Sequence, residues 1–210
     1  MYDYKIITDA LIKGKKDNLA TLIQNAIDQG ESAKDILDTG LIASMNVVGE
    51  KMETGEMFIP EVLMAAKIMS TGVDYLKPML GADDLTAKGK VIIGTVKGDL
   101  HDIGKNLVAL MCEGAGFEVI NLGVNVSPDQ FVSAIRDNNA DMLCLSALLT
   151  TTMPEMKKTV KAIEASGLRE KIKIMIGGAP VTQAFAEEIG ADAYSADAGG
   201  AARTANELLS

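Results

Sequence analysis

The second half of the chain repeats one pattern, in which a short apolar segment precedes a segment with helical periodicity. The apolar segments occupy residues 91–96, 117–122, 142–146, 172–176 and 191–195. Near-continuous apolar strands that alternate with helices are typical of a parallel sheet whose two faces are both covered by helices. The pattern therefore predicts an α/β domain in which five parallel strands form a doubly wound, Rossmann-like sheet.

The first 80 residues lack this alternation and indicate helices only. Apolar side chains recur there with a period near 3.6 residues, which is the spacing of one helix face. Ser32 is placed to cap a short helix that Gly40 should end, and Pro60 suits the first turn of a later helix. Several helices joined by short loops predict a small helical bundle.

A polar segment at residues 81–89 separates the two halves of the sequence. We therefore expect a helical bundle over residues 1–85 and the Rossmann-like domain over residues 86–210. The glycines at both ends of the segment suit a hinge between the two domains.

Composition argues against several classes of function. The formal net charge of −9 argues against a nucleic-acid partner, because phosphate binding needs a basic surface. No apolar run approaches the ~20 residues of a membrane-spanning helix, so no membrane partner is expected. Cys112 and Cys144 lie in apolar runs without metal-type spacing, which predicts reduced core thiols in a cytoplasmic protein.

Unusual residues follow the ends of the predicted strands. They fall at residues 98–104, 146–152, 177–180 and 194–200, and they are rich in glycine, hydroxyl and small side chains. Ligands of open α/β sheets bind at the carboxyl ends of the strands. These four segments therefore predict a wide crevice suited to an extended ligand.

His101 is the only histidine of the chain, and it stands between Asp99 and Asp102. A neutral imidazole is a metal ligand, and a nearby carboxylate fixes its tautomer. The residues alone leave other readings open: a solvated loop histidine, or a divalent-ion site shared with the two aspartates. Similarly, Gly177-Gly178 suits a tight turn, and Ser146 and the threonines that follow it suit helix caps. A dinucleotide site is disfavoured because no Gly-x-Gly-x-x-Gly motif follows the first strand.

The spacing of three motifs resembles the cobalamin-binding signature of methionine synthase, corrinoid methyl-carrier proteins and certain mutases. Asp99-x-His101-x-x-Gly104 is followed after 41 residues by Ser146-x-Leu148, and after 28 more by Gly177-Gly178. Residues 49–61 of the helical half resemble the helical cap that precedes this domain in methionine synthase and in corrinoid proteins of methanogens and acetogens. The whole chain thus resembles the free-standing corrinoid carriers.

The resemblance implies a role for each motif. His101 becomes the lower axial ligand of cobalt in place of the benzimidazole tail, and the displaced tail lies in a crevice beside the sheet. Asp99 accepts a hydrogen bond from the other ring nitrogen, and Thr152 completes a relay that supplies or removes the accompanying proton. Asp102 is expected at the start of a helix. The implied cofactor-binding residues are Gly98, Asp99, Leu100, His101, Asp102, Ile103, Gly104, Ser146, Leu148, Thr150, Thr152, Gly177, Gly178 and Tyr194.

In the helical half, the resemblance assigns Met52 and Ile59 to an apolar lid over the upper, methyl-bearing face of the corrin, with Met57 and Phe58 nearby. Because each partner enzyme needs access to that face, the lid is expected to move.

The implied function is that of a carrier which takes a methyl group onto cobalt(I) from a substrate-specific methyltransferase. A second methyltransferase then passes the methyl group to tetrahydrofolate or coenzyme M, and a reductive activator restores oxidised cobalt(II). The chain holds no second catalytic constellation, so we expect it not to complete a reaction alone. The sequence identifies neither the methyl donor nor the oligomeric state.

Two other functions remain open at this point. The first is the cobalamin-binding subunit of an adenosylcobalamin mutase, which shares the histidine motif but normally lacks the helical cap. The second is a cobalamin-dependent sensor, which would need an output module that the acidic charge does not favour. A generic flavodoxin-like binding domain is the simplest fallback.

Overall fold

The computed structural model describes residues 2–81 and 87–209. The chain divides into two compact units, one of Met1–Ala87 with Gly114–Gly116 and one of Lys88–Glu113 with Phe117–Ser210. The predicted boundary between residues 85 and 86 lies outside the described residues, as does most of the predicted 81–89 hinge. The position of the boundary and the role of the hinge therefore stay predictions.

The first unit is built from helices, as its apolar periodicity predicts. Its core consists of side chains that recur on the inner helix faces, such as Ile7, Leu19, Ile23 and Val62. The helices are α1 (Lys5–Ile12), α2 (Lys16–Asp28), α3 (Ala33–Asp35), a π-helix (Ile36–Ile42), α4 (Ala43–Glu53), α5 (Ile59–Leu76) and a 3-10 turn (Lys77–Met79).

The prediction that Gly40 ends a helix is wrong. Ser32 does cap α3, because its Oγ accepts the Asp35 N–H at 3.0 Å, but the helix then continues through Gly40 as the π-helix into α4. A Cβ at position 40 would lie 3.2 Å from side-chain atoms of both Tyr4 and Ile7. The glycine therefore serves the close packing of α1, a use that its sequence position does not distinguish from a stop signal.

The second unit alternates strands and helices. They are β1 (Lys90–Thr95), α6 (Ile103–Gly114), β2 (Glu118–Asn121), α7 (Pro128–Asn138), β3 (Met142–Ser146), α8 (Met153–Ala165), β4 (Lys173–Gly177), α9 (Gln183–Ile189), β5 (Ala193–Ser195) and α10 (Ala198–Leu208), with a 3-10 turn at Arg169–Lys171. All the strands pair in parallel, in the order β2-β1-β3-β4-β5. The predicted five-stranded, doubly wound sheet is confirmed.

Strand order and register determine where a ligand can bind this sheet. The order reverses between β1 and β3, and such a switch point opens a crevice at the carboxyl ends of the strands. The register aligns Thr95 with Ser146, Ser146 with Gly177, and Gly177 with Ser195. The loops that follow these four strands therefore leave the sheet side by side.

The strands that carry these loops are buried in the core of the second unit, so the loops start from fixed positions. Ile92, Leu143 and Ile174 are fully buried in the core cluster of the sheet. Gly94 admits the Phe131 ring, which a Cβ at that position would meet at 2.7 Å. Cys112 and Cys144 are free, buried thiols, and burial raises the pKa of Cys112 to about 12. Among the described residues, no helix is both long and apolar enough to cross a membrane.

Candidate functional site

The predicted site residues of the second unit gather at the switch point of the sheet. The segment that follows β1 carries His101, and the segment that follows β3 carries Leu148 and Thr152. Asp99 joins the two segments, because its carboxylate is hydrogen bonded to residues of both. Residues 53 positions apart in sequence thus form one side-chain cluster.

The His101 ring is anchored through one nitrogen and free at the other. Its Nδ1 lies 2.7 Å from Asp99 Oδ1, while 52% of the side chain is exposed. An ionised carboxylate only accepts hydrogen bonds, so Nδ1 must carry the hydrogen and Nε2 keeps its lone pair. The ring therefore presents a metal-binding nitrogen to the surface.

Asp99 is a buried carboxylate that is satisfied entirely by donors of the chain. Oδ1 accepts from the His101 ring and from the His101 N–H at 3.1 Å, while Oδ2 accepts from the Leu148 N–H at 2.7 Å and Thr152 Oγ1 at 2.8 Å. Burial by itself would raise the pKa of Asp99. The hydrogen bonds from Leu148, His101 and Thr152 outweigh that effect and hold the pKa well below its usual range.

Thr152 has two acceptors for one hydroxyl proton. Its Oγ1 lies 2.8 Å from Asp99 Oδ2 and 2.9 Å from the Leu149 carbonyl oxygen. Although Thr152 directly precedes α8, its side chain forms no capping hydrogen bond to that helix. The hydroxyl can therefore donate either to Asp99 or to the Leu149 carbonyl.

Two residues that the sequence analysis did not single out support the segment around His101. Asn125 Oδ1 accepts the Gly98 N–H at 2.8 Å, and the Asn125 N–H donates to the Asp99 carbonyl at 3.0 Å. Thr95 Oγ1 donates to the His101 carbonyl at 2.8 Å. Asn125 has a φ of 56°, a left-handed conformation that asparagine tolerates better than most residues. The tolerance of asparagine for this backbone conformation is the only sequence signal that could have identified Asn125.

Exposed apolar side chains flank the histidine. Leu100 and Ile103, on either side of His101 in sequence, are 71% and 76% exposed, and Leu148 and Leu149 are also exposed. Four large, exposed apolar residues in these neighbouring segments indicate a surface that a ligand covers. Within residues 2–81 and 87–209, no group of three His, Cys, Asp or Glu side chains could hold a metal ion. The donor set therefore suits a metal that brings its own equatorial ligands, as cobalt does in a corrin.

The close approach of neighbouring segments requires both glycines at the end of β4, Gly177 and Gly178. Gly178 has a φ of 129°, and a Cβ there would collide with the backbone carbonyl of Ala147. A Cβ at Gly177 would lie 2.9 Å from the Ser195 carbonyl oxygen. The close approach of the segments that follow β3, β4 and β5 thus explains both glycines, independently of any ligand.

The remaining predicted residues are more scattered. Ser146 ends β3 in register with Thr95, and Tyr194 in β5 packs against the core cluster. Gly104 lies in the first turn of α6, and Thr150 is exposed in the turn before α8. Asp102 directly precedes α6, as predicted, and its Oδ2 accepts from Asn106 Nδ2 at 3.2 Å.

The cap residues belong to the first unit. Met52 lies in α4 and is half-buried, whereas Ile59 begins α5 and is exposed. Of their predicted neighbours, Phe58 is exposed and Met57 is a buried core residue.

Known proteins are similar in sequence to this chain over nearly its whole length. A family model described as "B12 binding domain" matches residues 89–205, and a second with the same description matches residues 4–77. Dimethylamine corrinoid protein 2 of Methanosarcina acetivorans is 44% identical over 97% of this chain and 94% of its own.

Two solved structures extend the similarity to the fold. A cobalamin-binding protein of Desulfitobacterium hafniense is 30% identical over all of both chains, with a TM-score of 0.86. A chain of the methanol:cobalamin methyltransferase complex of Methanosarcina barkeri is 32% identical, with a TM-score of 0.83, over 97% of this chain and 78% of its own.

The fold and the site therefore define a cobalamin-binding protein built on B12-binding domains. Within that class, the chain belongs to the corrinoid protein family that includes the dimethylamine corrinoid proteins. The predicted family and the corrinoid cofactor are confirmed, as is the role in methyl transfer at the level of the family.

The tautomer of His101 gives a first testable prediction. In the cofactor-free protein at a pH where the ring is neutral, we expect the hydrogen on Nδ1, because Asp99 accepts it. Free histidine favours the other tautomer, so the effect is specific to the fold. The chain has a single histidine, so nitrogen-15 NMR of histidine-labelled protein reports this ring alone. A ring with its hydrogen mainly on Nε2 would contradict the site geometry.

A second prediction concerns Gly178. Gly178→Ala should lower the free energy of unfolding of the cofactor-free protein by about 3 kcal/mol or more, because the Cβ meets the Ala147 carbonyl in a disfavoured backbone conformation. Gly167→Ala is the matched control: Gly167 also has a positive φ, of 73°, but open space around it. The control should lose about 1 kcal/mol. Equal losses in urea unfolding would show that the contact with Ala147 is unimportant.

Proposed function

We propose that this corrinoid protein carries a methyl group from a substrate-specific methyltransferase to a second methyltransferase. When bound, the corrinoid would supply a cobalt ion that takes up and gives back a methyl group. His101 would ligate that metal, and the residues around it would surround the cofactor and hold the ring hydrogen at Nδ1. The observation that carries this proposal is the half-exposed His101 ring, whose Nδ1 is held by Asp99 so that Nε2 is left to ligate a metal.

We assign the cofactor contacts of the second unit on the same basis. His101 would ligate the metal, and the exposed Leu100, Ile103 and Leu148 would cover the lower face of the corrin ring. The tail would lie beside Ser146 and the Gly177-Gly178 backbone, which occupy neighbouring positions at the same edge of the sheet.

The Asp99 hydrogen bonds allow His101 to bind and release the metal. In the ligating form, the only ring hydrogen is on Nδ1, and Asp99 accepts it. If the ring were released from the metal, its hydrogen bond would keep it beside the Asp99 charge for the next ligation. Thr152 Oγ1 donates a hydrogen bond to Asp99 Oδ2, which stabilises the charge of Asp99. The chain thus lowers the cost of each exchange without a second metal ligand.

In the first unit, we propose that Met52 and Ile59 shield the upper face of the cofactor. Phe58 and Ile59, at the start of α5, are exposed apolar side chains, which suits a lid that meets an apolar ligand. Such a lid would exclude water from the methyl group.

The methyl donor is proposed from the relatives. The 44% identical relative is a dimethylamine corrinoid protein, so we propose a methyltransferase acting on a small methylated amine as the first partner. A second methyltransferase using tetrahydrofolate or coenzyme M and a reductive activator complete the proposal. Relatives that span 97% of the chain do not favour the mutase or sensor alternatives. The cytoplasmic location stays a prediction.

One experiment tests the carrier role and its ligand together. Protein loaded with cobalamin, reduced to cobalt(I), is mixed with its partner methyltransferase and one donor from a panel of mono-, di- and trimethylamine, methanol and betaine. The absorption spectrum should report methylation with one methylated amine. Methylation only by methanol or betaine would contradict the proposed donor, and methylation by none would contradict the carrier role.

The His101→Ala variant completes this test. It should lower cobalamin affinity by about tenfold or more and remove the spectrum of the histidine-ligated form. Lys97→Ala, which changes an exposed residue of the same loop, is the control and should behave as the wild type. An unchanged spectrum in the His101→Ala variant would refute axial ligation by this residue.

A further inference from the structure

Lys105, in the first turn of α6, is a buried lysine whose ammonium directly contacts neutral amide oxygens rather than a carboxylate. Only 3% of the residue is exposed. Its ammonium donates to Asn106 Oδ1 and to Asn121 Oδ1, each at 2.6 Å. Among the residues that the structure describes, no carboxylate oxygen lies within 4.0 Å of Lys105 Nζ.

Such a lysine is expensive for the folded state. Removing an ammonium from water costs free energy that neutral amide acceptors offset only in part, and an apolar side chain of similar volume is often equally or more stable. Burial lowers the pKa of Lys105, and the charge of Asp102 opposes that shift. Packing alone therefore does not account for a lysine at this position.

The contacts of Lys105 form a directed set of hydrogen bonds, which we call the Lys105 clamp and define as Lys105, Asn106 and Asn121. Lysine has donors only, so both asparagines must turn their oxygens toward it. Asn121, the last residue of β2, then donates from Nδ2 to Asn106 Oδ1 at 3.0 Å, and its Oδ1 also accepts the Gly123 N–H at 3.0 Å. The clamp thus fixes α6 to the end of β2.

The clamp also fixes one end of the segment that carries His101. Because Asn106 Oδ1 faces Lys105, its Nδ2 points away and donates to Asp102 Oδ2 at 3.2 Å. The Asn106 N–H also donates to the Asp102 carbonyl at 2.8 Å. At the other end of the segment, Asn125 binds Gly98 and Asp99. The exposed His101 ring lies between these two attachments.

We propose that Lys105 is a positioning residue for His101, in which the Lys105 clamp holds Asp102 and so fixes the direction in which His101 Nε2 points. The inference rests on the proposed function for the identity of the ligand. Lys105 makes no hydrogen bond to the His101 ring or to Asp99, so it would act only through Asn106 and Asp102. Its role is to reduce the freedom of the loop that carries His101, whose half-exposed ring must meet a metal at a fixed angle.

The test is Lys105→Met, which keeps the length of the side chain and removes the charge and the donors. We expect the cofactor-free variant to unfold at the same or a higher urea concentration than the wild type. With bound cobalt(II) cobalamin, the ratio of the histidine-ligated to the unligated form should fall about tenfold, as when a supporting partner of a ligating histidine is lost. Lys97→Met, the same substitution at an exposed site of this loop, should leave both quantities unchanged.

A second variant and a second readout keep the proposal testable if Lys105→Met does not fold. Asn121→Ala retains the ammonium and removes its acceptor on β2, so it should lower the same ratio. In the cofactor-free protein, both variants should shift or split the single histidine ring signal in nitrogen-15 NMR.

The outcomes separate this proposal from the proposed function. Folded variants with wild-type ring signals and a wild-type ligation ratio would overturn the role of Lys105, as would a loss of stability with the ring signals unchanged. Wild-type protein without histidine ligation would contradict the proposed function instead. The ring signals of the cofactor-free protein would still decide whether the clamp positions His101.

Discussion

The hydrogen bonds of one buried carboxylate organise this molecule. Asp99 accepts the His101 ring on one oxygen and the segment that follows β3 on the other. Asp99 therefore joins the segments that follow β1 and β3, between which the strand order reverses. It also selects the tautomer of His101, the only histidine of the chain. Without the Asp99 carboxylate, the Leu148 N–H, the Thr152 hydroxyl and the His101 ring would lose a common acceptor.

The site that Asp99 organises offers one imidazole as a metal donor. A group of three protein ligands would bind a free metal ion firmly, and the described residues provide no such group. A single imidazole, by contrast, suits a metal that a macrocycle already holds, and it can dissociate without releasing the cofactor. In the proposed function, the exposed Leu100 and Ile103 would cover an apolar ring, a role that a simple metal site would not give them. Reversible ligation is what a carrier that visits two enzymes requires.

The strand pattern and the spaced motifs predicted the sheet and the Asp99–His101–Thr152 cluster, because both depend on local apolar runs and on loops at fixed strand ends. The π-helix through Gly40 could not be predicted, since the reason for that glycine is the packing of Tyr4 and Ile7 from another helix. Asn121 and Asn125 could not be identified for a related reason: the sequence does not show that the fold places Asn121 beside Lys105 and Asn106, or Asn125 beside Gly98 and Asp99. The burial of Lys105 could not be predicted either, because a lysine on a helix is usually exposed.

The central claim is that Nε2 of His101 ligates cobalt, and isotope labelling tests it most directly. Because the chain has a single histidine, protein grown with nitrogen-15 histidine and loaded with unlabelled cobalt(II) cobalamin contains one labelled imidazole. In the electron paramagnetic resonance spectrum, the axial nitrogen splits each cobalt line. The account predicts a change from triplet to doublet splitting on labelling. Triplets that persist in the labelled protein would show that the axial nitrogen comes from the cofactor tail and would contradict the account.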